Sequence, residues 1–118
     1  MDIDITRKGA IRIVRLTGKL TIGEGDLRLR RTLMDRLEAG DRSFVLDLSD
    51  VTFIDSAVIG EIVASHKRAL ELGGMIKIVA QRGAKPYDSF VATWLDRTLE
   101  LFDDEETAIT SFVDEGVH

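Results

Sequence analysis

The feature that most constrains the fold is a helical segment between two short, largely apolar runs. The runs at 44–48 and 75–80 contain one charged residue each and are too short for ordinary helices, which is typical of strands covered on both faces. Between them, 57–72 places apolar side chains at helical spacing and stops at Gly73 and Gly74. A strand, a helix and a strand in this order indicate an α/β layer structure with some parallel pairing.

The remaining segments continue this alternation. Further strands are predicted near 3–7, 10–16 and 99–102, with a short one at 19–22; further helices are predicted near 25–39, from Pro86 and near 104–112. A chain of 118 residues without a linker or an internal repeat is expected to form one domain. The last few residues, including the terminal His118, are expected to be disordered.

Local patterns predict how the helices begin and which side chains face the core. Two pairs at capping-box spacing, Thr21 with Glu24 and Asp103 with Glu106, predict two helix starts. The first helix is expected to turn Leu27, Leu33, Met34 and Leu37 inward. Trp94, Phe90 and Val91 are expected in the core, whereas an exposed Trp94 would indicate a partner or self-association surface.

Composition argues against several functions. With 16 basic and 21 acidic residues the net charge is −5, and no basic stripe is obvious that would neutralise nucleic-acid phosphates. The absence of Cys excludes disulfides and thiolate metal sites and suits a reducing compartment. No apolar run approaches the ~20 residues that span a bilayer, and the N-terminus lacks the apolar core of a signal peptide. We expect a cytoplasmic protein without membrane or nucleic-acid partners.

The Asp55-Ser56 pair, where a strand gives way to a helix, is the candidate functional site. One interpretation is that the Ser56 hydroxyl caps the helix, which contributes about 1 kcal/mol. The other is that Ser56 accepts a phosphate, which the free amides and the positive end of the helix would stabilise. The phosphate would add about −1.5 to −2 charges beside Asp55, with Asp47 and Asp50 nearby in sequence, and would weaken docking of a partner.

Three segments of the chain form a recognisable set: ArgLeuThrGlyLysLeu at 15–20, ValLeuAspLeuSerAspValThrPheIleAspSer at 45–56, and the helix that closes on LeuGlyGly at 72–74. In these segments the chain resembles the STAS domain of bacterial anti-sigma factor antagonists. The resemblance implies an α/β fold over 1–118, a small mixed β-sheet packed against about four helices, with no catalysis and no cofactor. The family's unphosphorylated form binds a histidine-kinase-like ATPase, the anti-sigma factor, which frees a sigma factor.

The resemblance also implies roles for individual residues. Ser56 would be phosphorylated by the anti-sigma kinase and reset by a phosphatase. The partner-binding residues would be Asp55, Ala57, Val58, Gly60 and Glu61. Glu61 is expected at the surface, so that Glu61→Lys should alter binding without unfolding the domain.

The segment 56–60 departs from the usual family pattern, which has Ser-Ser or Ser-Thr followed by Gly-Leu-Gly. Ala57 lacks the second hydroxyl, and Val58 replaces a glycine, so that a branched side chain is expected where a partner approaches. Thr21 stands where the family often has an aspartate. A second interpretation therefore stays open: a STAS scaffold module, not switched by phosphate, in a stressosome-like or other regulatory assembly.

Other candidate sites have weaker support. A hydrolase built on Ser56, His66 and Asp55 lacks the Gly-x-Ser-x-Gly nucleophile pattern. His66 has no second ligand at metal-binding spacing and is expected to be solvated or snorkelling. The acidic run 103–106 lacks the spacing of a calcium loop and is expected to be a solvated helix start.

Overall fold

The computed structural model describes residues 1–118 as a mixed five-stranded sheet with helices on both faces. The elements, in chain order, are β1 (Asp2–Lys8), β2 (Ile11–Leu20), α1 (Gly25–Glu38), β3 (Ser43–Ile54), α2 (Ser56–Glu71), β4 (Met75–Val79), α3 (Lys85–Ala92), a 3₁₀ turn (Leu95–Arg97), β5 (Glu100–Phe102) and α4 (Glu105–Asp114). The predicted fold class, a small mixed sheet with four α-helices, is confirmed.

The strands follow one another across the sheet in the order β1-β2-β3-β4-β5. The β1–β2 pair is antiparallel, and the three other pairs are parallel. The hairpin turn between β1 and β2 holds Gly9 at a φ of 60°, a left-handed conformation that glycine adopts without steric cost. The parallel pairs bring the carboxyl ends of β2 and β3, and hence the starts of α1 and α2, to one end of the sheet.

The two faces of the sheet carry cores of different size. One face joins α1, α2 and α3 in a cluster of 20 buried residues, among them Phe44 and Leu46 of β3. The opposite face meets α4 in a cluster of six: Ile11, Ile13, Val45, Val79, Ala108 and Phe112. Because neighbouring residues of β3 enter different clusters, this strand is covered on both faces, as its apolar run predicts.

The face under α4 also buries charged groups. The Lys77 ammonium, on a fully buried side chain, donates to Ser111 Oγ and Glu115 Oε1 at 2.6 Å each. Near the start of α4, Glu105 accepts two hydrogen bonds from Arg15, at 2.6 and 2.8 Å. Each end of this short helix is therefore tied to the sheet by an ion pair.

Two strands differ in length from their predictions. β3 continues beyond Leu48 to Ile54, and the segment predicted as a separate strand at 19–22 belongs to β2 as far as Leu20. Both extensions come from one cause, since β2 and β3 keep pairing across two register shifts, between Arg15 and Thr17 and between Gly18 and Lys19. Local hydrophobicity does not reveal such a continuation.

Both predicted capping boxes are wrong. The residue before α1 is Glu24, whose side chain makes no capping bond, and the Thr21 carbonyl instead accepts from Gly25 N at 2.7 Å. The cap of α4 is Asp104 and not Asp103, because Asp104 Oδ1 accepts from Thr107 N at 2.8 Å.

Several apolar side chains lie elsewhere than predicted. In α1 the buried leucines are Leu29, Leu33 and Leu37, whereas Leu27 and Met34 are exposed. Trp94, expected in the core together with the buried Phe90, is 65% exposed, and Val91 is exposed as well. The Trp94 backbone has a φ of 63°, which breaks the helical periodicity after α3 and turns the ring outward.

The end of the chain packs on the β1–β2 hairpin. Val117 contacts the smaller core cluster, and the His118 carbonyl accepts a hydrogen bond from Ala10 N at 3.1 Å. No helix combines the length and the apolar character needed to traverse a membrane.

Candidate functional site

The start of α2 is built on the Asp55 carboxylate. Asp55 is the residue before the helix, and its Oδ1 accepts a hydrogen bond from Val58 N at 3.2 Å. Its Oδ2 accepts from Ile22 N, in the β2–α1 loop, at 2.7 Å. One carboxylate thus satisfies a free amide of the helix and fixes the neighbouring loop.

Ser56 is not the helix cap, so the first interpretation of its hydroxyl is wrong. Because Asp55 supplies the capping oxygen, Ser56 becomes the first residue of the 16-residue helix α2, and it is exposed. Its hydroxyl takes no part in capping and faces solvent at the positive end of the helix. A hydroxyl in this position can be reached by another protein.

Val58 lies in the core and not on a partner surface. Its side chain is fully buried, and a Cβ atom added to Gly25 would lie 3.2 Å from its Cγ2 atom. Gly25 therefore lets the starts of α1 and α2 approach closely, and the Val58 side chain fills that contact. The expectation that a branched side chain at position 58 meets a partner is wrong.

Glu61 is also buried, so its predicted surface position is wrong. Its Oε1 accepts from Arg30 Nε at 2.7 Å, and its Oε2 accepts from Ser65 Oγ at 2.7 Å and from the Arg68 guanidinium. Because α1 contributes Arg30, this network joins α1 to α2. Periodicity within one helix cannot reveal a charge whose partner lies on another helix.

His66 is buried and does not snorkel to solvent. Burial lowers the pKa of its imidazole, while the Glu100 carboxylate and the Ile76 backbone act in the opposite direction. It also lies ten residues beyond Ser56 along α2, which is about 15 Å at 1.5 Å per residue. A Ser56–His66–Asp55 hydrolase triad is therefore not assembled.

The structure places Asp47, one of the acidic residues near Ser56 in sequence, away from the site. Asp47 is buried on the α4 face, where Ser49 donates two hydrogen bonds to it. Burial, followed by a hydrogen bond with Glu105, raises the pKa of the Asp47 carboxyl. Asp47 therefore lies with Glu105 at the contact between α4 and the sheet, and not at the Ser56 site.

Two exposed apolar side chains at the site escaped the sequence analysis. Ile22, whose amide is held by Asp55, is 70% exposed, and Phe53, two residues before the cap, is 42% exposed. Gly60, one turn after Ser56, is exposed, and a Cβ atom added there would meet nothing within 4 Å. We call Ile22, Phe53, Ser56 and Gly60 the seam surface.

Phe53 is identified by the structure and not by a sequence signal. In 51–54, Val51 and Ile54 enter the core while Thr52 and Phe53 are exposed, and the adjacent apolar pair Phe53-Ile54 does not indicate which of the two faces solvent. Phe53 and Ile54 also line a cavity of about 350 Å³ beside α3, together with Lys85, Asp88, Ser89 and Ala92.

Comparison with protein families decides what kind of domain carries this site. The family model described as STAS domain matches residues 2–108. The chain belongs to the STAS domain family. The family resemblance inferred from its motifs is therefore confirmed.

Solved structures similar to this STAS domain include anti-sigma factor antagonists. One is a putative anti-sigma factor antagonist from Thermotoga maritima, 25% identical, with a TM-score of 0.83 and 92% of each chain covered. Another is an anti-sigma factor antagonist from Mycobacterium paratuberculosis, 20% identical, with a TM-score of 0.82 and coverage of 93% of this chain and 92% of that one.

A third is the Bacillus cell fate determinant SpoIIAA in its phosphorylated form. It is 15% identical to this STAS domain, with a TM-score of 0.72, and the match covers 94% of this chain and 99% of that one. The similarity in each case extends over nearly the whole of both chains.

Proposed function

We propose that residues 1–118 act as one cytoplasmic STAS domain that antagonises an anti-sigma factor by binding it, without catalysis of its own. The observation that carries the proposal is the exposed Ser56 hydroxyl, which Asp55 releases from capping at the start of α2. The similarity to two anti-sigma factor antagonists over more than nine-tenths of this chain supports the same partner class.

The seam surface is the proposed docking site. Ile22 and Phe53 offer apolar area to a partner, and the exposed Gly60 has no side chain to hold the partner away. Asp55 and Ala57 are half-buried and form its floor. This proposal keeps Asp55, Ala57 and Gly60 from the sequence-derived set, and it replaces Val58 and Glu61 by Ile22 and Phe53.

We further propose that phosphorylation of Ser56 switches this binding. The positive end of α2 stabilises the phosphate within the domain, whereas a partner that covers the seam surface has to accept nearly two extra negative charges. A loss of 1.4 kcal/mol already weakens a complex tenfold. The anti-sigma factor, a histidine-kinase-like ATPase, adds the phosphate, and a phosphatase removes it. SpoIIAA, similar in fold, has been solved in a phosphorylated form.

The buried position of Val58 bears on the rival interpretation. Because its side chain is buried, the departure from glycine at this position leaves the seam surface unchanged. Ala57 remains as the difference beside Ser56, since it lacks the second hydroxyl of the common pattern. A STAS scaffold without a switch would use the seam surface for binding and leave Ser56 unmodified.

The kinase reaction separates the two functions. Purified protein is incubated with anti-sigma kinases from the same genome and ATP, and intact mass is measured for wild type, Ser56→Ala and Thr110→Ala. Thr110 is a matched control because it is an exposed hydroxyl on α4, on the opposite face of the sheet. A gain of one phosphate in wild type and Thr110→Ala, but not in Ser56→Ala, is expected. Binding without any mass gain would favour the scaffold.

Calorimetric titration with the same anti-sigma factors tests the docking site. Ile22→Ser, Phe53→Ser and Ser56→Asp should each weaken binding about tenfold or more, because they remove apolar contact or add charge. Leu72→Ser, at an apolar residue that is 53% exposed beyond the far end of α2, should bind as wild type does. Unchanged affinity in all three seam variants would contradict the docking site.

A further inference from the structure

The free edge of the sheet at β1 differs from the edge at β5. β5 has three residues, a length that gives little room for another strand to pair. β1 has seven residues and pairs with β2 from Asp2 to Lys8 without a register shift, so it contains no bulge. The only proline of the chain is Pro86, so no proline interrupts β1 either. At roughly 3.3 Å per residue, β1 presents about 23 Å of free strand edge.

The middle of this edge carries an uncovered apolar side chain. Ile5 is 41% exposed, although its cross-strand neighbour Val14 is fully buried in the larger core. Ile3, on the same face of the strand, packs partly against that core. A further strand placed beside β1 would cover Ile5 and would pair the free backbone groups of the edge.

The order of charges along β1 indicates which strand can pair with this edge. The strand reads AspIleAspIleThrArgLys, with both acids in its first half and both bases at its end. An antiparallel copy centred on Ile5 places Asp2 opposite Lys8 twice and Ile5 opposite itself. A parallel copy would place Asp2 opposite Asp2 and Lys8 opposite Lys8, which is repulsive.

The other antiparallel registers that keep the same face together are less favourable. If the two-fold axis lies at residue 4 instead of Ile5, Asp4 is opposite Asp4. If the axis lies at residue 6, only residues 4–8 of each strand are paired. The register centred on Ile5 uses the whole strand and opposes unlike charges at both ends.

We propose that two copies of this chain pair through β1, antiparallel and with a two-fold axis at Ile5, to form a continuous ten-stranded sheet. Such an interface is self-complementary, as a two-fold dimer requires. The inference does not depend on the proposed anti-sigma partner, and either can fail without the other.

Cysteine cross-linking tests the register, because the chain contains no Cys of its own. Opposite residues of antiparallel strands have Cα atoms about 4.5–5.5 Å apart, within the range of roughly 4.4–6.8 Å that a disulfide spans. Ile5→Cys should therefore give a disulfide-linked dimer under mild oxidation. Lys8→Cys is the matched control on the same strand, because two copies of residue 8 lie six positions, about 20 Å, apart. Combining Asp2→Cys with Lys8→Cys should restore cross-linking.

Sedimentation velocity over a concentration series tests whether the pairs of Asp2 with Lys8 stabilise the dimer. Wild type should form a dimer whose population rises with concentration, and Asp2→Lys and Lys8→Asp should each weaken it about tenfold. The double variant, with the charges exchanged, should recover the wild-type constant. Three results would overturn the proposal. They are a wild type that stays monomeric at millimolar concentration, a dimer dissociation constant that these variants do not change, and equal cross-linking of Ile5→Cys and Lys8→Cys.

Discussion

The Asp55 carboxylate accepts a hydrogen bond of 2.7 Å from the backbone N–H of Ile22, across 33 residues of sequence. The other oxygen of the same carboxylate caps α2 through Val58 N. The exposed Ile22 side chain and the exposed Ser56 hydroxyl are therefore positioned by one group. This bond makes the β2–α1 loop and the start of α2 a common surface.

Asp55→Ala should destabilise the protein by about 2 kcal/mol, as about 1 kcal/mol comes from the helix cap and about 1 from the loop bond. Asp55→Asn keeps an oxygen acceptor for one of the two bonds and should lose about half as much. Urea unfolding of the two variants measures the difference. Wild-type stability in Asp55→Ala would show that the contacts are not stabilising.

Glu61→Lys should destabilise the protein by about 3 kcal/mol or more, because it places an ammonium among Arg30 and Arg68 in a buried network. Lys67→Glu is the control, since Lys67 is an exposed residue of the same helix and its replacement should stay within about ±0.5 kcal/mol. Equal denaturation midpoints for both variants would contradict the burial of Glu61.

His66 should make stability depend on pH near neutrality. Its pKa in the folded protein is lowered by burial, so below its ordinary value of 6.5 the unfolded chain binds a proton more readily than the folded one. The free energy of unfolding should therefore fall as the pH falls below 6.5. Thermal unfolding between pH 7.5 and 5.5, as a chosen test range, measures the slope, and His66→Gln should have a smaller slope. Identical slopes would exclude His66 as the cause.

Removing the charge of Asp47 and removing the charge of Glu105 should have opposite effects on the free energy of unfolding. The raised pKa of Asp47 means that its contribution to stability is largest at low pH and is lost as the pH rises through the folded value. Asp47→Asn removes this penalty and can donate to Glu105, so at pH 7 it should be neutral or stabilising.

The hydrogen bonds from Arg15 lower the pKa of Glu105 to about 2. The contribution of Glu105 to stability is therefore present above pH 4.5, and it is lost as the pH falls toward 2. Glu105→Gln should cost about 1 kcal/mol at pH 7 and less at pH 3. Urea unfolding at both pH values checks both variants. A larger loss of stability for Asp47→Asn than for Glu105→Gln at pH 7 would show that the charged form of Asp47, and not that of Glu105, stabilises the fold.

Elements that end at local signals can be predicted from the sequence. Residues 75–79 form a strand as predicted, and α2 begins and ends within one residue of its predicted bounds, because short apolar runs, helical spacing and the Gly73-Gly74 stop act within a few residues of the chain. The STAS motifs likewise lie in continuous segments, and they located Asp55 and Ser56 at the start of a helix.

Which side chains of that site are accessible depends on contacts between elements that are distant in sequence. Val58 is buried because Gly25 lets α1 approach, and Glu61 is buried because α1 supplies Arg30. Asp55 takes the cap from Ser56 while it also binds Ile22, a residue far away in sequence. The burial and hydrogen bonding of a side chain depend on all the elements packed around it, and those contacts exist only once the helices have docked on the sheet.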